Sequence, residues 1–401
     1  MNGPAPVDAM RAAADRAAGG GAAVAASPPA AAPMATHAVP HPAPAAEPAL
    51  PPPTVRAIDL THAEDAARWD AFVAGCPQAT FFHRAGWMRV VGRVFGHPTW
   101  ALAAERPQPD GSTAIVGVLP LARVRSLLFG DAVASLPFAV YGGAAAADEA
   151  AATALEDEAD RLARRLGVQH LELRQLQRRH EGWPRQELYA SFRKPILPDE
   201  EANLLAVPRK QRAMVRKAMQ RGLTSTFDDG VDRFFALYAD NVHRHGTPAL
   251  PRRWFQALRD EFGDDCSVLT VAAPDGRPVS SVLSFRFRDE ILPYYAGDDV
   301  AARDLAANDF KYWALMRWAC DQGLKTFDYG RSKVGTGPYA FKKNWGFEPQ
   351  PLHYEYRLYK RDAVPQNNPA NARYKLMIET WRRLPLPVAN WLGPFVVRSL
   401  G

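Results

Sequence analysis

The sequence predicts an α/β (α+β) fold of two tandem, similar halves behind a disordered Ala/Pro-rich leader, on three observations. First, residues 1–53 are dominated by Ala, Pro and Gly and hold no Phe, Tyr or Trp, so they bury too little apolar surface to offset the entropy of ordering. Second, from Thr54 onward apolar side chains recur at helical and strand periods. Third, the order of elements in a first half, residues 54–195, returns at greater length in a second, residues 196–362, ahead of a tail from 363 to 401.

In the first half, helices are expected at Ala63–Ala74 and at Ala85–Phe95, where Trp87, Val91 and Phe95 recur at helical spacing. Strand patterns follow at Thr99–Ala104, Ala114–Val124 and Ala132–Tyr141. An acidic-to-basic helix, Glu149–Leu166, stops before Gly167 and leads to a strand at His170–Leu173.

The second half opens on a basic helix, Arg209–Arg221, followed by helices at Val231–His243 and Pro251–Phe262. Strands at Ser267–Ala272, Val279–Arg288 and Glu290–Ala296 are separated by Pro274-Asp275-Gly276 and Asp289, the punctuation of an antiparallel meander. Asn308 is a cap candidate for a helix ending at Gln322 before Gly323. The strand Leu324–Tyr329, a short helical piece and the strand His353–Tyr359 complete the half. Meander, helix, strand, helix, strand is the order of a GNAT core, so both halves are expected to be GNAT-like.

The formal net charge of +6 points to a polyanionic neighbour: a nucleic acid, a phosphorylated substrate or an anionic membrane surface. Cys76, Cys266 and Cys320 are far apart and odd in number, which suggests neither a disulfide framework nor a zinc site and leaves three buried small hydrophobes. His243 and His245 flank Arg244 with no third ligand near in sequence, so a capping role is expected rather than a metal. The small-residue stretch Gly19–Ala26 is preceded by Asp8 and Asp15 and followed by Pro28 and Pro29, unlike a signal peptide. No apolar run reaches the ~18 residues of a membrane span. The protein is therefore expected in the cytoplasm, without metal or tightly bound cofactor.

The densest functional signal is Phe327–Phe347, where a strand runs into a glycine-rich, cationic turn. Such a turn outside the carboxyl end of a strand lets backbone N–H groups approach an anion, with Arg331 and Lys333 supplying charge. Asp328 has two readings. It is either the base that takes a proton from an attacking amine, since acyl transfer to nitrogen needs a neutral nucleophile, or the ion-pair partner of Arg331 or Lys333 that holds the turn. Phe341 and Trp345, four apart, are expected on one helix face against the sheet, leaving Lys342 and Lys343 to meet an anion or solvent.

On the basic helix, Arg209, Arg212 and Arg216 form one stripe and Lys210, Lys217 and Arg221 an adjacent one, with no acidic residue from Pro208 through Arg221. A phosphate-bearing partner and a solvated face both fit this pattern. Of Tyr294 and Tyr295, strand alternation sends one to the core and leaves the other for a ligand. In the tail, Trp381-Arg382-Arg383 and Trp391, Leu392, Phe395 and Arg398 combine apolar bulk with arginine, as an interfacial membrane segment does; the competing reading is a tail packed on the enzyme body.

The segments Asp328-Tyr329-Gly330-Arg331-Ser332-Lys333, Gly335-Thr336-Gly337, Phe341-Lys342-Lys343 and Trp345-Gly346-Phe347 resemble the FemAB family, and more closely its exosortase/PEP-CTERM-associated members. Pro208-Arg209-Lys210-Gln211-Arg212 and Phe81-Phe82-His83 with Trp87 are similar to the same family, so the resemblance covers most of Thr54–Lys360. It implies a double GNAT-like fold and transfer of an acyl or aminoacyl group to an amine. FemAB enzymes of cell-wall synthesis use aminoacyl-tRNA as donor and a lipid-linked precursor as acceptor. The exosortase-associated branch implies a saccharide acceptor in exopolysaccharide synthesis, and cellulose-biosynthesis-type relatives use acyl-CoA.

The loop Gly297–Asp304 is acidic where a GNAT enzyme carries paired glycines, which argues against acyl-CoA because it would repel pyrophosphate. The expected site is thus Asp328 as base candidate, with Arg331, Lys333, Tyr339, Lys342, Lys343, Tyr295, Arg209, Arg212 and Arg216 binding substrate. Its expected partners are charged tRNA or acyl-CoA, a saccharide or lipid-linked acceptor, and the inner face of the plasma membrane. The alternatives are an acyl-CoA N-acetyltransferase and a noncatalytic scaffold with a basic surface.

Overall fold

The structure is a computed structural model that describes residues 50–126, 130–365 and 372–399, with residues 372–376 described by their backbone alone. The expected disorder of the leader falls, up to residue 49, outside the described residues.

Period-two apolar runs build two sheets. The first holds β1 (Thr54–Ile58), β2 (Thr99–Pro107), β3 (Thr113–Ser126), β4 (Gly130–Ala134), β5 (Ala145–Ala146), β6 (His170–Gln175) and β7 (Arg185–Gln186). The second holds β8 (Tyr189–Pro195), β9 (Thr224–Phe227), β10 (Cys266–Ala272), β11 (Pro278–Phe287), β12 (Glu290–Asp298), β13 (Thr326–Lys333) and β14 (Pro349–Pro351). The last strand, β15 (His353–Leu358), returns to the first sheet, whose order is β1-β2-β3-β4-β6-β15-β7 with β5 on β3. The second sheet runs β14-β8-β13-β12-β11-β10-β9.

The two sheets therefore exchange strands. β15 pairs antiparallel with β6 from His353–Gln175 to Leu358–His170. β8 pairs antiparallel with β13 from Pro195–Thr326 to Tyr189–Lys333. A division at residue 195 does not separate the sheets, because the strand that ends there belongs to the second.

The helices are α1 (Ala63–Gly75), α2 (Ala85–Phe95), α3 (Glu149–Leu166), α4 (Glu200–Ala206), α5 (Arg209–Gln220) and α6 (Asp232–Arg244) in the first part of the chain. They continue as α7 (Arg252–Phe262), α8 (Ala302–Leu305), α9 (Ala307–Asp321), α10 (Gly337–Asn344), α11 (Ala372–Arg383) and α12 (Leu386–Val397). Helix α3 shows the local logic: the Asp148 carboxylate caps it by accepting from the Ala151 amide, and Gly167, at φ 64°, ends it. Helix α9 departs from expectation. It follows Ala306, held at φ 57°, so Asn308 lies inside the helix and caps nothing.

One core joins the sheets. Phe81 and Trp87 from the first half meet Trp254, Phe262 and Phe285 from the second, with Phe81 stacked on Phe285 at 4.3 Å and Trp87 edge-on to Trp254 at 5.5 Å. Each of these buried aromatics contributes roughly 2–3 kcal/mol of apolar transfer. A second core of Trp313, Phe327 and Trp345 lies between α9, α10 and the second sheet, and a third packs α3 on the first sheet.

Candidate functional site

Parallel strands β12 and β13 share a ladder of two rungs, Glu290–Thr326 and Ile291–Phe327. Past them the strands part. The register of β13 against β8 breaks between Asp328 and Arg331, with Gly330 at φ 61°, and β12 carries a bulge at Tyr294 where its pairing with β11 skips a residue. The result is a gap at the carboxyl end of β13.

The bulge overturns the expected alternation of Tyr294 and Tyr295, since both pack against the first core. The Tyr294 hydroxyl donates to the Phe138 carbonyl at 2.7 Å, and the Tyr295 hydroxyl accepts from Trp254 Nε1 at 3.2 Å. Tyr295 is a wall residue.

The segment Ser135–Gly143 lies between the sheets beside this gap. It was expected to continue a strand to Tyr141, but β4 stops at Ala134, and Leu136 and Phe138 take φ of 65° and 61°, a backbone no strand contains. Side chains hold it there. The carbonyls of Pro137, Phe138, Ala139 and Val140 accept, in turn, from Trp87 Nε1, the Tyr294 hydroxyl, Arg174 Nη1 and the Tyr354 hydroxyl. Such strain persists only where the surroundings over-determine it, as at functional sites.

Asp328 is 1% exposed. It accepts from the Gly330 amide at 2.7 Å and the Tyr141 hydroxyl at 3.1 Å, and Arg193 Nε lies 3.6 Å away. Its charged partner is Arg193, itself paired with Glu290, rather than the expected Arg331 or Lys333. Burial pushes the carboxyl up, against the pull of Arg193 and the Gly330 amide. The space beside it, lined by Thr80, Phe81, Tyr141 and Arg193, is about 10 Å³, room for roughly one water. Asp328 thus fixes the turn that aims Arg331.

The Arg331 guanidinium lies 4.6 Å over the Tyr189 ring and donates to the Tyr354 hydroxyl at 2.9 Å. It faces a cavity of about 130 Å³ shared with Glu172, Arg174, Tyr189 and Tyr354. Arg174 is neutralised by Glu172 at 2.7 Å. Among the described residues no carboxylate lies within ion-pair distance of Arg331, so it supplies the cavity's uncompensated charge.

Lys342 was expected to be free for an anion, and the structure places it inward. Its ammonium donates to the carbonyls of Tyr329 at 2.6 Å, Arg331 at 3.0 Å and Gly330 at 3.2 Å, clamping the turn from behind. Burial pushes it down to about 7. Phe341 and Trp345 do share a face, 6.0 Å apart, and Lys343 is exposed. Tyr339 sits edge-on to Phe192 at 5.2 Å against the second core. Lys333 ends β13 opposite Tyr189, half-buried.

Helix α5 buries Val215 and Ala218 and packs on α9. Arg209 and Arg216 are exposed and Arg212 half-buried, and all three line a surface groove with Leu205 and Lys217, apart from the Arg331 cavity. Among the described residues no ion pair neutralises these arginines.

The acidic loop before α9 is corrected as well. Asp298 is held by the fully buried Lys311 at 2.8 Å, and Asp299 by Arg277 at 3.0 Å and the Ala301 amide at 2.8 Å. Its charge is internally compensated, so the expected repulsion of pyrophosphate is weakened. His243 meets the Leu384 carbonyl and His245 the Asn241 carbonyl. Cys76 and Cys266 are buried, whereas Cys320 is half-buried. Among the described residues no three His, Cys, Asp or Glu side chains gather as for a metal ion.

Sequence reasoning missed Tyr141, Glu172, Arg174, Tyr189, Arg193 and Tyr354. One signal was present. Glu172 and Arg174 stand two apart and alternate with Leu171 and Leu173, so a strand must put both charges on one face.

Residues 209–343 match the acetyltransferase (GNAT) domain family. A UDP-N-acetylmuramoylpentapeptide-lysine N(6)-alanyltransferase of Weissella viridescens is 24% identical over 136 residues, 33% of this chain and 40% of that protein. The matched stretch thus spans less than half of this relative's length. Among solved structures, FemX superposes with a TM-score of 0.60 at 16% identity, over 77% of this chain and 98% of FemX. A tandem GNAT protein from the clavulanic acid biosynthesis pathway gives a TM-score of 0.50 at 13% identity, over 76% of this chain and 97% of that one. The fold, two sheets in tandem with a GNAT domain in the second half, is that of these proteins. Residues 209–343 are thus a match to a GNAT acetyltransferase domain, and the chain as a whole is similar in fold to FemX.

Proposed function

We propose that this chain is an acyltransferase that moves an aminoacyl or acyl group from an activated donor to the amine of a sugar or lipid-linked intermediate. The intermediate belongs to exopolysaccharide or cell-envelope synthesis, at the inner face of the plasma membrane. The observation that carries the reading is the parting of β12 from β13 beside an uncompensated guanidinium, Arg331, in an aromatic cavity. The alanyltransferase relative, named for transfer to a lysine amine of a UDP-linked pentapeptide, supports an amine acceptor and an aminoacyl donor.

In this reaction the amine lone pair attacks the carbonyl carbon of an ester or thioester. A C–N bond forms, the C–O or C–S bond breaks, and the amine proton ends on the departing oxygen or sulfur. We assign the developing oxyanion to backbone N–H groups of β12 past Ile291, where the ladder with β13 ends, other than Pro293, which has none. Arg331 binds a substrate phosphate, with Lys333 and Lys343 adding positive charge around the mouth. Arg209, Arg212 and Arg216 bind donor phosphates on the outer groove. Asp328 and Lys342 are positioning residues that fix the turn from either side, and Tyr295 and Tyr339 build its walls.

A second reading, acyl-CoA as donor, is favoured by the compensation of Asp298 and Asp299. Calorimetry of the full chain with charged tRNA, uncharged tRNA and acetyl-CoA separates the two. Charged tRNA is expected to bind on the order of tenfold tighter than uncharged, at a salt concentration that suppresses nonspecific phosphate contacts. Saturable binding of acetyl-CoA instead selects the second reading, and binding of neither donor contradicts both.

A further inference from the structure

Helix α12 carries no charged residue, and no acidic side chain follows Glu379 to the end of the chain. One face of the helix is committed to the body. Ala389, Gly393 and Val397 are buried, and a Cβ on Gly393 would lie 2.8 Å from the Ala249 carbonyl oxygen, so the helix sits tightly on the segment after α6. His243 Nε2 holds the Leu384 carbonyl at 2.9 Å and fixes the turn that precedes it.

The opposite face is bare. Val388, Trp391 and Phe395 form one stripe with 40%, 69% and 68% exposure, and the rings of Trp391 and Phe395 touch edge to face at 6.1 Å. Arg382, Arg383 and Arg398 precede and follow this stripe in sequence and are all exposed; Arg382 also reaches the His245 carbonyl at 3.4 Å, and Arg398 lies beside Gly96. Twelve residues make a helix about 18 Å long, short of the ~30 Å hydrocarbon layer. Apolar aromatic bulk with arginine at its margins and no carboxylate complements a bilayer surface that carries anionic headgroups.

A further placement gives the stripe a use. Ser399, two residues past the end of α12, lines the same cavity as Arg331 and Tyr354.

We propose that α12 lies in the interface of an anionic membrane through Val388, Trp391 and Phe395, with Arg382, Arg383 and Arg398 on lipid phosphates, and so holds the mouth of the Arg331 cavity at the bilayer. The inference deepens the acyl-transfer reading by presenting the cavity to a lipid-linked acceptor, but the docking itself requires no donor chemistry.

Cosedimentation of the full chain with vesicles tests it, using phosphatidylcholine alone and phosphatidylcholine with about 30% phosphatidylglycerol. The wild-type chain is expected to partition onto the anionic vesicles. W391S/F395S is expected to lower the partition coefficient on the order of tenfold or more, and R383Q/R398Q to remove the preference for phosphatidylglycerol. All four side chains are exposed, so unchanged circular dichroism and melting temperature show that the variants fold. A wild-type chain that stays in the supernatant with anionic vesicles overturns the proposal, as does W391S/F395S binding as well as wild type. A solution dimer that W391S/F395S dissolves also overturns it, by assigning the stripe to a second copy. A wild-type chain that fails to dock yet turns over a water-soluble acceptor removes this inference alone and leaves acyl transfer standing.

Discussion

Arg331 and Asp328 lie three residues apart yet differ in kind. The first keeps an uncompensated charge beside a cavity, and the second spends its carboxylate on Gly330, Tyr141 and Arg193. Both were legible in the sequence as members of one cationic turn. Which would face a ligand was not, because the answer depends on a strand from the other half, β8, whose Arg193 takes the carboxylate. The His180 imidazole is a second case of side chains meeting across long sequence distance. It stacks on Trp183 at 3.9 Å and bridges Glu355 at 2.7 Å and Glu156 at 3.3 Å. Burial alone would lower it, but the two carboxylates outweigh burial and hold it up at about 9. A pKa raised above the ordinary 6.5 contributes stability that is fully present below about pH 6.5 and lost as pH rises through about 9. Urea unfolding should show this decline, on the order of 1–2 kcal/mol after allowance for solvent screening of a half-buried group. The H180Q variant should flatten the profile over that window, and an unchanged profile would count against the bridge.

Among the elements, the antiparallel meander was readable because its turns are written in residue chemistry: Pro274-Asp275-Gly276 closes β10 on β11, with Gly276 at φ 82°. Segment 135–143 was not. Its apolar sequence reads as a continuing strand, and what stops it is a set of side-chain donors from Trp87, Arg174, Tyr294 and Tyr354, none of them local. Its return into the sheet needs Gly142, where a Cβ would stand 2.2 Å from the Ser135 carbonyl oxygen, a backbone atom that cannot yield. G142A is therefore expected to cost about 2–4 kcal/mol, measured by denaturant melts, and to lower turnover further by displacing the carbonyls that anchor Arg174 and Tyr354. A neutral G142A would show that this segment is not held as described.

For the whole molecule, tandem architecture was legible from the repeated order of elements, whereas the exchange of β8 and β15 was not. Periodicity marks a strand without saying which sheet it joins. Because each sheet borrows a strand from the other half and Phe81 stacks on Phe285 across the shared core, neither half is complete alone. Residues 50–195 expressed by themselves should lack a cooperative melt, and a sharp transition in that fragment would contradict the shared core. The same exchange brings Tyr189 and Tyr354 together beside Arg331, so the site exists only in the assembled chain. The most direct test of the central claim is acyl transfer by the full chain, comparing wild type with R331K and R331A at equal melting temperature and with the donor that calorimetry selects. R331K, which keeps the charge but not the planar stack on Tyr189, is expected to lose on the order of tenfold in turnover, and R331A on the order of a hundredfold or more. Wild-type turnover in R331A would contradict the assignment of this cavity as the site of transfer.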